Sequence, residues 1–434
     1  MNPIAKSIND ELGEHNKYIL EMLSNTGKEL FMPKGILSQS AEAKAKANKF
    51  NATIGISTAK GEPMYLESMF KKFQDINPSK IFTYAQASGI PELRELWANK
   101  IKEENPSLNG TQISHPIVCN ALTNGLVTAG ELFLNSGDFV VLPDKFWGNY
   151  RLMFSTLLGG EIATYETFNE NNGYNVAGFL QRVRECGAKN KKVMVLLNFP
   201  NNPTGYTLTK EEAVQIADGL TEIAESGINI IAVTDDAYFG LFFDNVFKES
   251  IFSLLAGRSE RLLAIKIDGI TKESFAWGFR VGFITYGATI KGDNSAIFKA
   301  LETKTAGYLR ASISSAPHPS QSITVEVLKA PSFNDEKTAL VKIIEERCKK
   351  VQEICSSGKY DDEYTAYPFN SGYFMCIKLK NVEAEKLRLA LLDQYGVGVI
   401  STNQTDIRVA FSCVDVEHLE ELFEIIHKCA ASMH

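Results

Sequence analysis

Between about residues 117 and 286 short apolar runs alternate with helical stretches. The runs at 117–119, 139–142, 193–197, 228–234, 262–267 and 281–286 are rich in Val, Ile and Leu and read as strands. Helical patterns at 127–134 and 211–226 lie between them, and a further helix is predicted at 90–103, with Pro91 in its first turn. Strands separated by helices predict an α/β architecture, a mainly parallel sheet with helices on both faces. Such sheets bind ligands beyond the carboxyl ends of their strands, so residues with chemistry are expected just after these runs.

The two ends of the chain have other patterns. Up to about Lys49 the sequence reads as helical, with Ile8, Leu12, Tyr18, Ile19 and Met22 loosely on one face, and 51–61 is irregular and glycine-containing. Beyond about Ser320 come a long charged helix at 339–355, the strand GYFMCIKL, a helix at 382–395, strands in VGVIST and IRVAFS, and a terminal helix. That is an α+β layout. No repeat, low-complexity tract or Pro/Gly/Ser-rich linker separates it from the middle, so the parts are expected to pack together.

Composition narrows the class without touching the chemistry. A chain of 434 residues, 44% hydrophobic and 22% charged, is long enough to bury a large core without disulfides or metals. With 45 Lys+Arg against 52 Asp+Glu the net charge is −7, which argues against nucleic acid as a partner. No apolar run approaches the ~18 residues that span a bilayer, and the charged opening MNPIAKSINDELGEHNKYIL does not read as a secretory signal. Seven scattered cysteines without a CxxC pair fit reduced thiols in a cytoplasm. The six histidines form no His-x-x-x-His pair, so no metal site is expected.

Three clusters carry candidate chemistry. LLNFPNNPTGYTLTKEE places a turn-rich loop after the strand at 193–197, and Thr209 with Glu212 forms a capping box that opens the next helix. By itself this is compatible with an ordinary strand-to-helix loop. AVTDDAYFGLF sets two acids, Asp235 and Asp236, directly after an apolar strand. One or both must lie at its carboxyl end, where a buried carboxylate needs a cation; the alternative is a helix N-cap or a solvated turn. KIDGITKESFAWGFRVGF holds Lys272 soon after a strand and Arg280 eight residues later. A lone lysine is usually a surface charge, and it is the company that singles this one out.

In this order and spacing the three clusters resemble the class I aminotransferases, fold-type-I enzymes dependent on pyridoxal 5'-phosphate (PLP). The resemblance implies a large domain with a mainly parallel seven-stranded sheet between helices and a smaller α+β domain. The corresponding division is 1–65 as an N-terminal arm with part of the small domain, 66–320 as the large PLP-binding domain, and 321–434 as the small C-terminal domain. It further implies that Lys272 holds PLP as a Schiff base, that Asp235 pairs with the pyridine nitrogen, and that Tyr238 and Asn202 bond the phenolic oxygen. Arg280 would clamp the phosphate with the backbone amides of Ala121 and Leu122 at a helix N-terminus. Trp147, in FWGNY, would stack on the ring, and Tyr84 would reach the phosphate of a neighbouring subunit. Arg408, in DIRVAFS, would bind the substrate α-carboxylate, beside Asn202 and Trp147. Arg310 corresponds either to an arginine that binds a distal carboxylate from the partner subunit or to a structural ion pair.

Two positions depart from the family pattern. Gly269 stands where a serine often contacts phosphate, and the phosphate loop reads Asn120-Ala121-Leu122-Thr123 where many members have glycine with serine or threonine. The implied function is transamination between an L-amino acid, aromatic or aspartate-like, and a 2-oxo acid such as 2-oxoglutarate, by a homodimer. A PLP-dependent β-eliminating lyase on the same fold is the alternative. A non-catalytic PLP-binding regulator is disfavoured, because the residues before Asn51 are too few and too little basic for a DNA-binding domain.

Overall fold

The structure, a computed structural model, describes residues 1–32, 35–289 and 295–433. Seven strands form the central sheet: β1 (Ile117–Cys119), β2 (Phe139–Pro143), β3 (Glu161–Tyr165), β4 (Lys192–Leu197), β5 (Asn229–Asp235), β6 (Leu262–Gly269) and β7 (Gly282–Gly287). Their order is β1-β7-β6-β5-β4-β2-β3, all neighbours parallel except β7, which runs antiparallel to both β1 and β6. The mainly parallel seven-stranded sheet expected from the sequence is therefore present.

Alternation along the strands divides the core in two. Val140, Leu142, Met194, Leu196, Ile231, Val233, Ile265 and Ile267 face one cluster, with α3 (Ala121–Phe133) packed on it through Leu122, Leu126 and Ala129. Val141, Val193, Val195, Ile230, Ala232, Leu262 and Ala264 face the other. There they meet α2 (Pro91–Glu104), α4 (Val176–Asn190) and α5 (Lys210–Glu225). A strand buried on both faces has no polar side to show, which is why β4 and β5 read as continuous apolar runs. The capping box that opens α5 is formed: Thr209 Oγ1 accepts from Glu212 N at 3.2 Å, and Glu212 Oε2 accepts from Thr209 N at 2.9 Å. A cap of this kind contributes about 1 kcal/mol.

The C-terminal part builds a separate four-stranded antiparallel sheet from β8 (Tyr364–Ala366), β9 (Met375–Leu379), β10 (Ile400–Ser401) and β11 (Asp406–Val409), in the order β8-β9-β11-β10. The N-terminal segment joins it, since Phe50–Asn51 pairs in parallel with Val397–Gly398. Helix α7 (Phe333–Ser356) packs against the terminal helix α8 (Leu419–Ala431) and, through Leu340, against the central-sheet core as well.

Several expectations shift. The opening segment is three helices, Pro3–Met22 (α1), Asn25–Glu29 and Ile36–Lys46, and the face bearing Ile8, Tyr18, Ile19 and Met22 is exposed. Strand β3 was not predicted: as the sheet's edge it is half solvated, and EIATY lacks the apolar run of its neighbours. Helices α4, α6 (Ser295–Ser312) and His318–Leu328 are also additions to the sequence reading.

Candidate active site

The carboxyl ends of the parallel strands open into a cavity of about 170 Å³. It is lined by Leu122, Trp147, Asn202, Asp235, Tyr238, Lys272 and Arg408, which come from the central sheet's connections and, for Arg408, from β11 of the smaller sheet. A larger trough of about 690 Å³ lies against α6 and residues 105–115, and it holds none of these groups. The groups with candidate chemistry gather in the smaller cavity.

Sheet register decides which acid faces it. Asp235 has the parity of Ile231 and Val233 and so points to the α3 side, whereas Asp236 has the parity of Ala232 and Thr234 and points to the opposite core. Asp235 is 3% exposed; its Oδ2 accepts a short hydrogen bond from the Tyr150 hydroxyl and its Oδ1 accepts from Ala237 N at 3.1 Å. Burial pushes its pKa up, and Tyr150 and Lys272 pull against that. Asn198 Nδ2 donates to the Asp235 carbonyl at 2.8 Å and Asn198 Oδ1 receives the amide of Asn202 at 2.9 Å, tying the two loops together.

Lys272 occupies a one-turn helix, Ile270–Glu273, immediately after β6. Its Nζ stands 5.0 Å from the centroid of the Tyr238 ring. Its pKa is pulled down from 10.5 to about 8 chiefly by burial, with Asp235 opposing and the positive charge of Arg280 assisting. A lysine in this state is a usable base near neutral pH. Tyr373, which precedes β9, donates from its hydroxyl to the Lys272 carbonyl at 3.2 Å.

Arg408 is 1% exposed; its Nη1 donates to Asn202 Oδ1 at 3.0 Å and its Nη2 to the Thr53 carbonyl at 2.8 Å. The guanidinium lies 4.1 Å over the Phe374 ring, and Nε has no partner. A buried guanidinium with an unpaired N–H is a site for an anion such as a carboxylate.

The groups named for the phosphate are arranged around the start of α3. Ala121 has φ +60°, a left-handed conformation that costs a non-glycine residue ~1–2 kcal/mol. Gly282 presses against it: a Cβ there would lie 2.8 Å from the Ala121 carbonyl carbon. Gly269 is constrained in the same way, because it pairs with Gly282 across the β6–β7 ladder and a Cβ on it would sit 2.5 Å from the Val281 carbonyl oxygen. Serine is excluded at 269 by the backbone. Beside it, Thr271 Oγ1 and Asn120 Oδ1 are buried with no partner.

Two anticipated residues lie elsewhere on this chain. Tyr84 is 92% exposed, and Arg310 is exposed with its Nη1 donating to Ser314 Oγ at 2.6 Å. Neither lines the cavity, and neither do Arg280 or Ala121. Conversely, Tyr150, Asn198, Thr123 and Phe374 line it without having been assigned a cofactor role from the sequence. Among the described residues one group of ligand-type side chains, Asp415, Glu417 and His418, comes together, but Asp415 is already taken by Arg347 at 2.5 Å and the group is apart from the cavity.

The donor set fits PLP. A buried carboxylate, an amine with a lowered pKa, an amide, a phenol and an indole share one cavity, and the unpaired Thr271 hydroxyl is a free donor directly before Lys272.

Solved structures support the fold. An aminotransferase from Anaerococcus prevotii superposes with a TM-score of 0.84 at 22% identity, covering 94% of this chain and 99% of that one. The aspartate aminotransferase of Saccharomyces cerevisiae cytoplasm gives 0.77 at 19% identity, covering 96% and 100%. By sequence, an aspartate aminotransferase of Streptomyces avermitilis is 26% identical over 258 residues, 58% of this chain and 60% of that protein. Aromatic-amino-acid aminotransferase 2 of Thermococcus litoralis is 31% identical over 204 residues, 46% of this chain and 48% of that protein. These sequence matches thus span about half to three fifths of the relatives' length. The family model "Aminotransferase class I and II" matches residues 49–426, and the chain belongs to that family, whose members use pyridoxal 5'-phosphate.

Proposed function

We propose that the protein is a PLP-dependent aminotransferase moving an amino group from an L-amino acid, aromatic or aspartate-like, to a 2-oxo acid such as 2-oxoglutarate. The observation that carries this reading is the meeting of Lys272, Asp235, Asn202, Tyr238, Trp147 and Arg408 around one cavity, from segments up to 261 residues apart (147 to 408). When bound, PLP supplies an electron sink for the carbanion formed at the substrate Cα. Asp235 holds the ring nitrogen's charge, Asn202 and Tyr238 hold the phenolic oxygen, and Trp147 covers a ring face. Arg408 fixes the substrate carboxylate and so orients the Cα–H bond. Lys272 Nζ, unprotonated in a useful fraction near its pKa of about 8, takes the Cα proton and gives it back as a general acid. Arg280, the amides of Ala121 and Leu122, and the Thr271 hydroxyl in place of a serine at 269 hold the phosphate.

We also propose a homodimer in a reducing cytoplasm. Tyr65, Phe70, Phe73, Phe82 and Tyr84 are 51–92% exposed and offer an aromatic surface for a second copy, from which Tyr84 and Arg310 would serve the neighbouring site. All seven cysteines are free, and no described helix is long and apolar enough to cross a membrane. The division into an arm, a large PLP-binding domain and a small domain at 1–65, 66–320 and 321–434 is supported by the two separate sheets and the pairing of Phe50 with Val397.

The test is a panel of twenty amino donors against 2-oxoglutarate with PLP-loaded protein. Aromatic or acidic donors should give glutamate and the matching 2-oxo acid. Release of pyruvate and ammonia from a cysteine conjugate, without a 2-oxo acid acceptor, would instead identify a lyase.

A further inference from the structure

Tyr150 lies three residues after Trp147 and is 2% exposed. Its hydroxyl donates to Asp235 Oδ2, a carboxylate 85 residues away, and its ring stands edge-on to Trp147 at 5.5 Å and 82°. Its amide is fixed to the Trp147 carbonyl at 2.9 Å. One residue thus touches both the group assigned to the ring nitrogen and the group assigned to the ring face. Tyr150 and Asp235 both line the cavity.

We propose that Tyr150 is a positioning residue: its hydroxyl fixes the Asp235 carboxylate in its charged form, and its ring sets the plane of Trp147. The inference rests on the PLP reading of this cavity. The chemistry is asymmetric. Burial and the neighbouring carboxylate keep the Tyr150 proton on oxygen, so Tyr150 is the donor and Asp235 the acceptor of a charge-assisted bond. Asp235 is otherwise faced by Lys272, which favours its charge, by its neighbour Asp236, which disfavours it, and by Tyr238. With Oδ1 held by the Ala237 amide, the Tyr150 bond leaves the carboxylate no freedom to rotate.

Tyr150→Phe keeps the ring contacts and removes the bond. A hydrogen bond to a charged group lost in this way is expected to raise the dissociation constant for PLP roughly tenfold. It should also move the pH midpoint of the bound cofactor's visible absorbance upward, because a more basic Asp235 withdraws the proton from the ring nitrogen. Both effects should vanish when Tyr150→Phe is made in an Asp235→Asn background, which a merely structural role would not produce. A wild-type-like dissociation constant and midpoint in Tyr150→Phe overturn the inference, as does a loss of equal size in the Asp235→Asn background. Absence of a visible band from the wild type with PLP overturns the PLP reading and this inference with it, and is told apart from failure of the inference alone by the wild-type spectrum.

Discussion

Two pairs of neighbours, Asp235–Asp236 and Lys272–Glu273, divide between contrasting surroundings. Asp235 and Lys272 face the cavity, one carboxylate and one amine, both with their charged forms disfavoured by burial. Asp236 and Glu273 face the opposite core and are neutralised there. Asp236 pairs with Lys266 and takes the Ser250 hydroxyl at 2.6 Å; Lys266 also reaches Asp268 at 3.3 Å, and Trp97 Nε1 donates to Asp268 at 3.0 Å. Glu273 is paired with Lys100 of α2 and, at 2.6 Å, with Lys337 of α7, and these cations hold its pKa down at about 2 despite burial. Adjacent residues therefore have opposite energetics. Charge in the cavity is kept available for chemistry, while charge behind it is matched and holds the strand ends in place.

The comparison breaks if function and stability do not separate along that line. Lys272→Ala is expected to lower transamination by at least ~10²–10⁴-fold, with no loss of unfolding free energy in a urea titration, since it removes a desolvated amine. The converse holds for Lys266→Met, which strands Asp236 and Asp268 without their cation. It should cost ~3–5 kcal/mol in the same titration, while kcat of the folded fraction changes only a few-fold. A destabilised Lys272→Ala, or a fully stable Lys266→Met, would erase the distinction.

A pH series sharpens it. Lys272 has a folded pKa of about 8 against an ordinary 10.5, so between these values the unfolded chain binds more protons than the native apoprotein. Stability should rise with pH across that window and the rise should disappear in Lys272→Met, as read from unfolding midpoints. Glu273 has the reverse sign. Its contribution is present above 4.5, the ordinary value, and is lost as pH falls toward about 2, a loss that Glu273→Gln should remove. The smallest effect concerns Ala121: Ala121→Gly relieves the left-handed strain but loosens the unfolded chain, for a net gain of up to about 1 kcal/mol by thermal melting.

Much of this was legible in the chain. Apolar runs doubly buried in the sheet announced β4 and β5, and Asn202, Asp235 and Lys272, nominated by the family resemblance, fall at or just beyond strand ends, where such sheets bind ligands. The apolar pattern alone does not choose between Asp235 and Asp236, because strand parity at a boundary is fixed only to within a residue or two; the family resemblance nominates Asp235, and it is Asp235 that lines the cavity. The reason for Gly269 was not legible, since it lies in the backbone of a strand thirteen residues on, at Gly282. Tyr150 escaped notice as a partner of Asp235 because the bond joins a helical turn to the end of β5, 85 residues away. Edge strand β3 escaped because half of it is wet.

The central claim is that Lys272, and not the buried Lys266 six residues earlier, carries the cofactor. Incubating the protein with PLP, reducing with borohydride and mapping the adduct by peptide mass spectrometry tests it directly. The account predicts a single stoichiometric pyridoxyl group on Lys272, with Lys266 unmodified; a label on Lys266, or one spread over surface lysines with Lys272 free, would contradict it.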